Sequence, residues 1–457
     1  MFRFVSKRLF PVALCASAML SGAGTLAAEA AKEPSAPSSG PEVVLSGGLT
    51  FNAIAGSEKN KSFLHYKKGD NGSNPVTKED RKNNVHFLID GARVEFLIKD
   101  AMDFGSFYQW MMGVSLSADR NTKLYLITPR VYASFLSKHA SLTLGSYPAA
   151  NALLSQGGVN LLGGSGGYGS SLHKDFVGIT TGCHVKTGLT GDSANSNKLT
   201  IQSARLHGVQ LGVSYSPDTK QVGSASRQDV DNLSASDFVY NRHFVSGGLN
   251  YDGYVADNTK LAISVTGVTG KPYASQTMKN TTTPVKFYNT RGLASGFVLD
   301  FDRFAFGAQY AWMSKTNQFK DDFDVTPQKL DATNMDTWSY KADDAQGPRF
   351  FEGAFSLFID DKTKFALGYY YSTRQTGFKD TDGNKTKATA HIINTSITYQ
   401  VTTAVQTYLE FFYHRTKNPA AVYEANQYIN RGGDISKWKV VEDQRAYSVV
   451  MGLAVRF

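Results

Sequence analysis

The last residues, "RAYSVVMGLAVRF", alternate at period two. Tyr447, Val449, Met451, Leu453, Val455 and Phe457 share one face, and Ala446, Ser448, Val450, Gly452, Ala454 and Arg456 the other. The same beat places Val405, Thr407, Leu409, Phe411 and Tyr413 opposite Gln406, Tyr408, Glu410 and Phe412. It recurs with Tyr108, Trp110, Met112, Val114 and Leu116, and with Phe304, Phe306, Ala308, Tyr310 and Trp312. Followed along the chain, it predicts sixteen strands, at 42–55, 85–99, 105–118, 124–137, 140–147, 196–205, 207–216, 241–254, 259–269, 291–301, 303–314, 348–358, 363–374, 389–401, 404–415 and 445–457. Their connections alternate in length. Short turns are expected near 100–104, 138–139, 206, 255–258, 302, 359–362 and 402–403. Long polar loops are expected near 56–84, 148–195, 217–240, 270–290, 315–347, 375–388 and 416–444, while 119–123 is short.

A soluble sandwich also alternates, so the second face has to decide. A water-facing outer surface would carry Lys, Glu, Asp and Thr. Here that face is mostly Gly, Ala, Ser and Gln with an occasional Arg or Glu. Small residues suit an enclosed lumen, and the bulky face suits lipid with aromatic girdles at its rims. A strand of about 13 residues, rising ~3.3 Å per residue and tilted about 45°, climbs ~30 Å, enough to cross the hydrocarbon layer. Backbone amides in lipid need partners, which a closed barrel supplies without an edge. The expected fold is therefore all-β: a 16-stranded antiparallel transmembrane barrel with short periplasmic turns and long extracellular loops.

Composition agrees. Charged residues are 19% and aromatics 12%, against roughly 25% charged in soluble domains. Residues 1–30 have the form of a signal peptide: Arg3, Lys7 and Arg8, a short apolar core, and small residues at Thr25/Ala27 or Ala28/Ala30. Its loss would remove three cations and Glu29, taking the formal charge from +9 to +7. Residues 31–41 are expected as a flexible polar leader and 42–457 as the barrel. Only Cys183 would then remain, so no intrachain disulfide and no cysteine-based metal cluster is expected.

In this frame the order of motifs resembles the Gram-negative general porin family. "VVLSGGL" (43–49) is similar to its first strand, V-T-L-Y-G-x-[IL]. "RVYASFLSKHASLTLGSYP" (130–148) resembles R-x-[AG]-[YF]-V-G-L…G-x-[LV]-x-x-G-R, with Ser146 where the family often has Arg. "LHGVQLGVSYSPD" (206–218) resembles the seventh strand, and "GLAVRF" the closing G-L-R-H-x-F. The resemblance spans nearly all of the chain after the leader. It implies a homotrimeric pore in the bacterial outer membrane that passes small hydrophilic solutes and ions, in contact with outer-membrane lipid and lipopolysaccharide. It also implies a third loop folded into the barrel, and a terminal Phe457 recognised by the barrel-assembly machinery.

Those implications bear on "GGSGGYGSS" (163–171), which contains the dinucleotide spacing G-x-G-x-x-G at Gly164, Gly166 and Gly169. No strand directly precedes it and no helical period follows, so the fingerprint lacks its βαβ context. Glycine-dependent backbone in an inward-folded third loop accounts for it better. Sieving in such a pore depends on lumen width and charged rings. Family porins set acids on the third loop against arginines on the wall. Here Pro148 to Leu172 is uncharged, and the first charges are Lys174 and Asp175 beside His173. Arg93, Glu95 and Arg130 are the candidate wall residues, Arg130 at the family's motif arginine. Arg374, Glu410 and Arg456 share the same face. Each Arg–Glu pair has the alternative role of neutralising the wall. A weakly anion-preferring or unselective pore follows from the uncharged loop and the positive balance.

Other chemistry is thin. "DTDGNKT" (380–386) hints at a calcium loop, but Gly383 comes too early and His391 stands at position twelve. No H-E-x-x-H occurs, Cys183 has no established base partner, and no cofactor or metal is expected. The first loop mixes Lys59, Lys61, Lys67 and Lys68 with Glu58 and Asp70, which argues against nucleic acid. It offers a surface to lipopolysaccharide phosphates. A barrel enzyme lacks an acid/His or Ser/His set at definable spacing. A substrate-specific (for example sugar) channel or a surface adhesin barrel remains as the alternative, on the lumen-facing rings of Tyr370, Tyr408 and Phe412.

Overall fold

The computed structural model describes residues 40–59, 86–104, 106–118, 126–169, 189, 196–219, 221–222, 225–226, 241–272, 276–277, 284–316, 320, 323–325, 338–379, 383–418 and 443–457. The expected signal peptide and nearly all of the leader lie outside the described residues, as do His173, Lys174, Asp175 and Cys183. Sixteen long strands form the wall. They are β1 (Glu42–Lys59), β2 (His86–Phe104), β3 (Phe107–Ala118), β4 (Leu126–Ser137), β5 (Ala140–Ser146), β6 (Asn197–Ser203), β7 (Val209–Asp218) and β8 (Asn241–Ala256). There follow β9 (Thr259–Pro272), β10 (Thr290–Phe301), β11 (Phe304–Met313), β12 (Gln346–Phe358), β13 (Thr363–Lys379), β14 (Lys385–Gln400), β15 (Val405–Lys417) and β16 (Asp443–Arg456). Each pairs antiparallel with the next, and β16 returns to β1 through Gly48↔Arg456 to Lys59↔Arg445. The sheet is a closed barrel.

Closure carries the terminal residue with it. The Gly47 amide donates to the Phe457 carbonyl at 2.9 Å, and the Phe457 amide to the Gly47 carbonyl at 3.1 Å. The alternation sorts as the pattern requires. Leu409 and Phe411 stand 45% and 43% exposed on the outer wall, while Glu410 and Phe412 are sealed inside. At the short-turn end, Asp360 closes its turn by accepting the amides of Lys362 (2.8 Å) and Thr363 (2.7 Å), as short polar side chains do in tight turns.

Two connections differ from expectation. β2 runs on to Phe104, through the turn expected at 100–104. The loop expected at 375–388 is mostly strand, because β13 continues to Lys379 and β14 starts at Lys385. Thr376 and Thr386 hydrogen-bond at 2.5 Å inside this extension. Above the apolar layer a hairpin needs no hydrophobic alternation, so polarity there reads as loop. Gly383, at φ 79, belongs to the tip of this hairpin; residues 380–382 of the calcium-like stretch lie outside the described residues.

The interior differs from the expectation of small residues around water. Along the arc from β10 to β16 and on to β1, an apolar cluster fills the inner face. It includes Ile54, Phe350, Tyr370, Ile392, Phe412 and Val450, together with Leu161, Leu162 and Tyr168 from the β5–β6 connection. That connection is the third long loop, and it has folded inward.

Candidate pore constriction

The third loop leaves β5 at Tyr147 and follows the inner wall from strand to strand. A single helical turn, Ala150–Leu154, opens with the Ala150 amide donating to Ser214 Oγ on β7 at 2.7 Å. The Gln156 amide donates to Ser264 Oγ on β9 (2.8 Å), and Gln309 Nε2 on β11 donates to Ser155 Oγ (2.7 Å). The Val159 amide then donates to Glu352 Oε1 on β12 at 3.2 Å, and Lys364 Nζ on β13 donates to the Leu161 carbonyl at 3.0 Å. The Ser165 amide donates to Glu410 Oε2 on β15 at 2.8 Å. Last, the Tyr168 hydroxyl donates to the Gly353 carbonyl at 2.5 Å. Burial pushes the Tyr168 phenol well above its ordinary value, with nearby Glu352 adding to the shift, so it stays protonated and a donor.

The glycine stretch now has a physical role. Gly164, Gly166 and Gly167 take φ values of 70°, 110° and 59°, a region that side chains disfavour. A Cβ on Gly164 would run into the Glu410 carboxylate. The spacing that suggested a phosphate cradle does receive an acceptor, the carboxyl of the barrel's own Glu410. On the wall, Gly368 leaves the space that the Tyr168 hydroxyl occupies.

The candidate residues of the opposite wall come together on neighbouring strands. Glu95, Ser115 and Arg130 occupy one register row across β2, β3 and β4. Arg93 Nη2 bonds Glu95 Oε2 at 2.5 Å, and these side chains are 26% and 24% exposed. Arg130 is 8% exposed and lies within electrostatic reach of Arg93, Glu95, Tyr147 and Tyr132. The Tyr132 hydroxyl reaches Glu95 Oε1 at 3.5 Å, and the Tyr132 and Tyr147 rings lie 4.7 Å apart. Burial likewise pushes the Tyr147 phenol upward. Described loop residues 148–169 contribute no charge to face this group.

Sequence reasoning placed Glu410 and Gln309 on the inner face and missed their roles; it missed Glu352 and Lys364 altogether. Glu352 carries a legible signal, a lone acid at the inward phase of "RFFEGAFSLF". Tyr370, Tyr408 and Phe412 do point inward, but they are 0%, 4% and 0% exposed. Tyr370 is taken up in packing against Tyr168 and Phe350, with ring centroids at 5.7 and 5.8 Å.

A closed sixteen-stranded wall with a loop pinned inside is the geometry on which comparison with known proteins bears. Residues 13–419 match the family described as Gram-negative porin. The chain belongs to the Gram-negative porin family. Among solved structures, an anion-selective porin from Comamonas acidovorans has a similar fold, with a TM-score of 0.50 at 11% identity, covering 92% of this chain and all of that one. An uncharacterized protein of Rickettsia bellii is 22% identical over 339 residues, covering 63% of this porin and 70% of that protein. Another, of Rickettsia conorii, is 25% identical over 185 residues. The match spans only 40% of the Rickettsia conorii protein's length. Family membership places the chain among the outer-membrane porins.

Proposed function

We propose that this porin is a non-enzymatic, passive channel for small hydrophilic solutes and ions, weakly preferring anions. The observation that carries the preference is the charge on the two sides of the constriction. Arg93 and Arg130 meet one carboxylate, Glu95, on the β2–β4 wall, while the described part of the loop is uncharged. The acids of the far wall, Glu352 and Glu410, are engaged by loop amides and sealed from water. A passing ion therefore meets a net positive wall with no compensating acid on the described part of the loop, and a charged ring at a narrow point sets selectivity. His173, Lys174 and Asp175 continue the same loop and belong to this proposal.

The remaining parts of the reading follow family logic. Residues 1–30 direct export, 31–41 form a leader and 42–457 the barrel. The protein assembles as a homotrimer in contact with lipid and lipopolysaccharide, and Phe457 is the residue the assembly machinery reads. The test of selectivity is the zero-current potential across a bilayer in a tenfold salt gradient, with swelling of protein-loaded liposomes by sugars of graded size. An anion-signed potential with uptake falling smoothly with sugar size is expected. A strong cation-signed potential, or saturable uptake of one sugar, contradicts the proposal.

A further inference from the structure

Outside the barrel, the loop-side ends of β13–β16 carry an ordered surface that permeation does not use. Register aligns it in rows. Leu367, Thr395, Phe411 and Val449 stand side by side, and the next row toward the loops is Tyr369, Ile393, Tyr413 and Tyr447. The row above is Tyr371, His391, Arg415 and Arg445, followed by Thr373, Thr389, Lys417 and Asp443. The lower rows are apolar and exposed, with Leu367 at 45%, Phe411 at 43% and Tyr447 at 48%. Within one step along the strand the same wall changes from hydrocarbon-facing to cationic.

The cationic row is organised. Asp443 takes both arms of Arg415, at 3.1 and 2.9 Å, and an arm of Arg445 at 3.3 Å. It holds two guanidiniums side by side that are still 42% and 44% exposed. Among the described outward residues at these strand ends, Asp443 is the carboxylate, against Arg415, Arg445, Lys417 and Lys387. One carboxylate leaves the patch with a cationic excess. Guanidinium forks match phosphate oxygens two at a time. The Tyr369 hydroxyl and His391 Nδ1 share a hydrogen bond of 2.8 Å, which fixes the ring at the boundary.

We propose that this face is a binding site for a phosphate-bearing lipid of the outer leaflet, its acyl chains on the apolar rows and its phosphate on Arg415 and Arg445. The inference rests on the outer-membrane placement given above. It commits to a lipid because the phosphate-matching groups lie directly over an exposed apolar band. A free anion would use the upper rows alone, and a second copy of the chain would have to cover the cationic excess.

Lipid A added to the purified full-length porin in detergent, followed by native mass spectrometry, tests this. The wild type should retain lipid A, and Arg415→Gln/Arg445→Gln should bind it on the order of thirtyfold more weakly, from about 1 kcal/mol per cation near a membrane surface. Arg242→Gln/Lys271→Gln removes equal charge at the β8–β9 rim and should change binding less than twofold. Glucosamine 1-phosphate, which lacks acyl chains, should not displace the lipid. Unchanged affinity in the first variant, equal loss in the second, displacement by the sugar phosphate, or an altered oligomer mass without lipid each overturns the site. If the arginine pair does not fold, Lys417→Gln alone should show about a fivefold loss, and wild-type affinity there is contradictory. Channel conductance of the same preparations separates a failed lipid site from a failed porin.

Discussion

A carboxylate sealed in a wall needs a donor facing it, and the donors here are loop amides. Glu410→Ala would leave the Ser165 amide without its acceptor in a buried place, which costs about 1–3 kcal/mol. Glu410→Gln keeps an acceptor oxygen. The alanine variant is expected to unfold from vesicles at lower urea and to show noisier single-channel current, while the glutamine variant stays near wild type. Gly368→Val acts from the other partner, since its side chain would enter the space of the Tyr168 hydroxyl. It should destabilise by about 1–3 kcal/mol, and tyrosine fluorescence should report a Tyr168 shifted into water. At this scale the sequence showed that Glu410 faces inward, because alternation fixes the face of every strand residue. It could not show that Ser165 meets it across 245 residues, since loop backbone has no period.

Among elements, the strands were legible and their loop-side ends were not. Alternation marks only the part of a strand that divides lipid from interior, so β13 and β14 were seen up to the membrane rim and missed beyond it. The polar extension has its own anchor. Asp344, on the β11–β12 connection, binds Lys385 at 2.8 Å and Lys379 at 3.3 Å, and the Lys341 amide donates to the Gly377 carbonyl at 2.8 Å. The hydrogen bond from Lys385, supported by that from Lys379, holds the Asp344 carboxyl below its ordinary value of 3.8. A depressed folded value means that this anchor is complete above the ordinary aspartate range and is lost as pH falls through the folded value. Protection of the amides of 341–345 against hydrogen exchange, relative to their intrinsic rates, should therefore be high at about pH 6 and fall once the pH drops below the ordinary aspartate range and through the lowered Asp344 value. Asp344→Asn should remove that step. An identical profile in the variant would assign the acid effect to another group.

As a whole molecule, the barrel depends on closure and on what closure encloses. Phe457 pairs with Gly47 through both of its backbone groups, and its ring is 65% exposed. Deleting Phe457 should lower the yield of folded barrel in cells several-fold, while the same chain refolded from urea into vesicles recovers most of its heat-modifiable form; equal loss in both settings would leave no separate assembly role. The number of strands and the closed topology were visible in the sequence, because a lipid-facing wall imposes period two throughout; the inward third loop was expected only from the resemblance to the porin family. The dry arc between β10 and β1 was not, since small residues suit a water-lined wall and a loop-covered wall equally. What the wall encloses is tested most directly by inserting the purified porin into a planar bilayer at fixed voltage and recording single-channel current. Discrete, ohmic steps that disappear when the protein is boiled before insertion are the predicted result, and a membrane that stays silent although the folded barrel has inserted would contradict it.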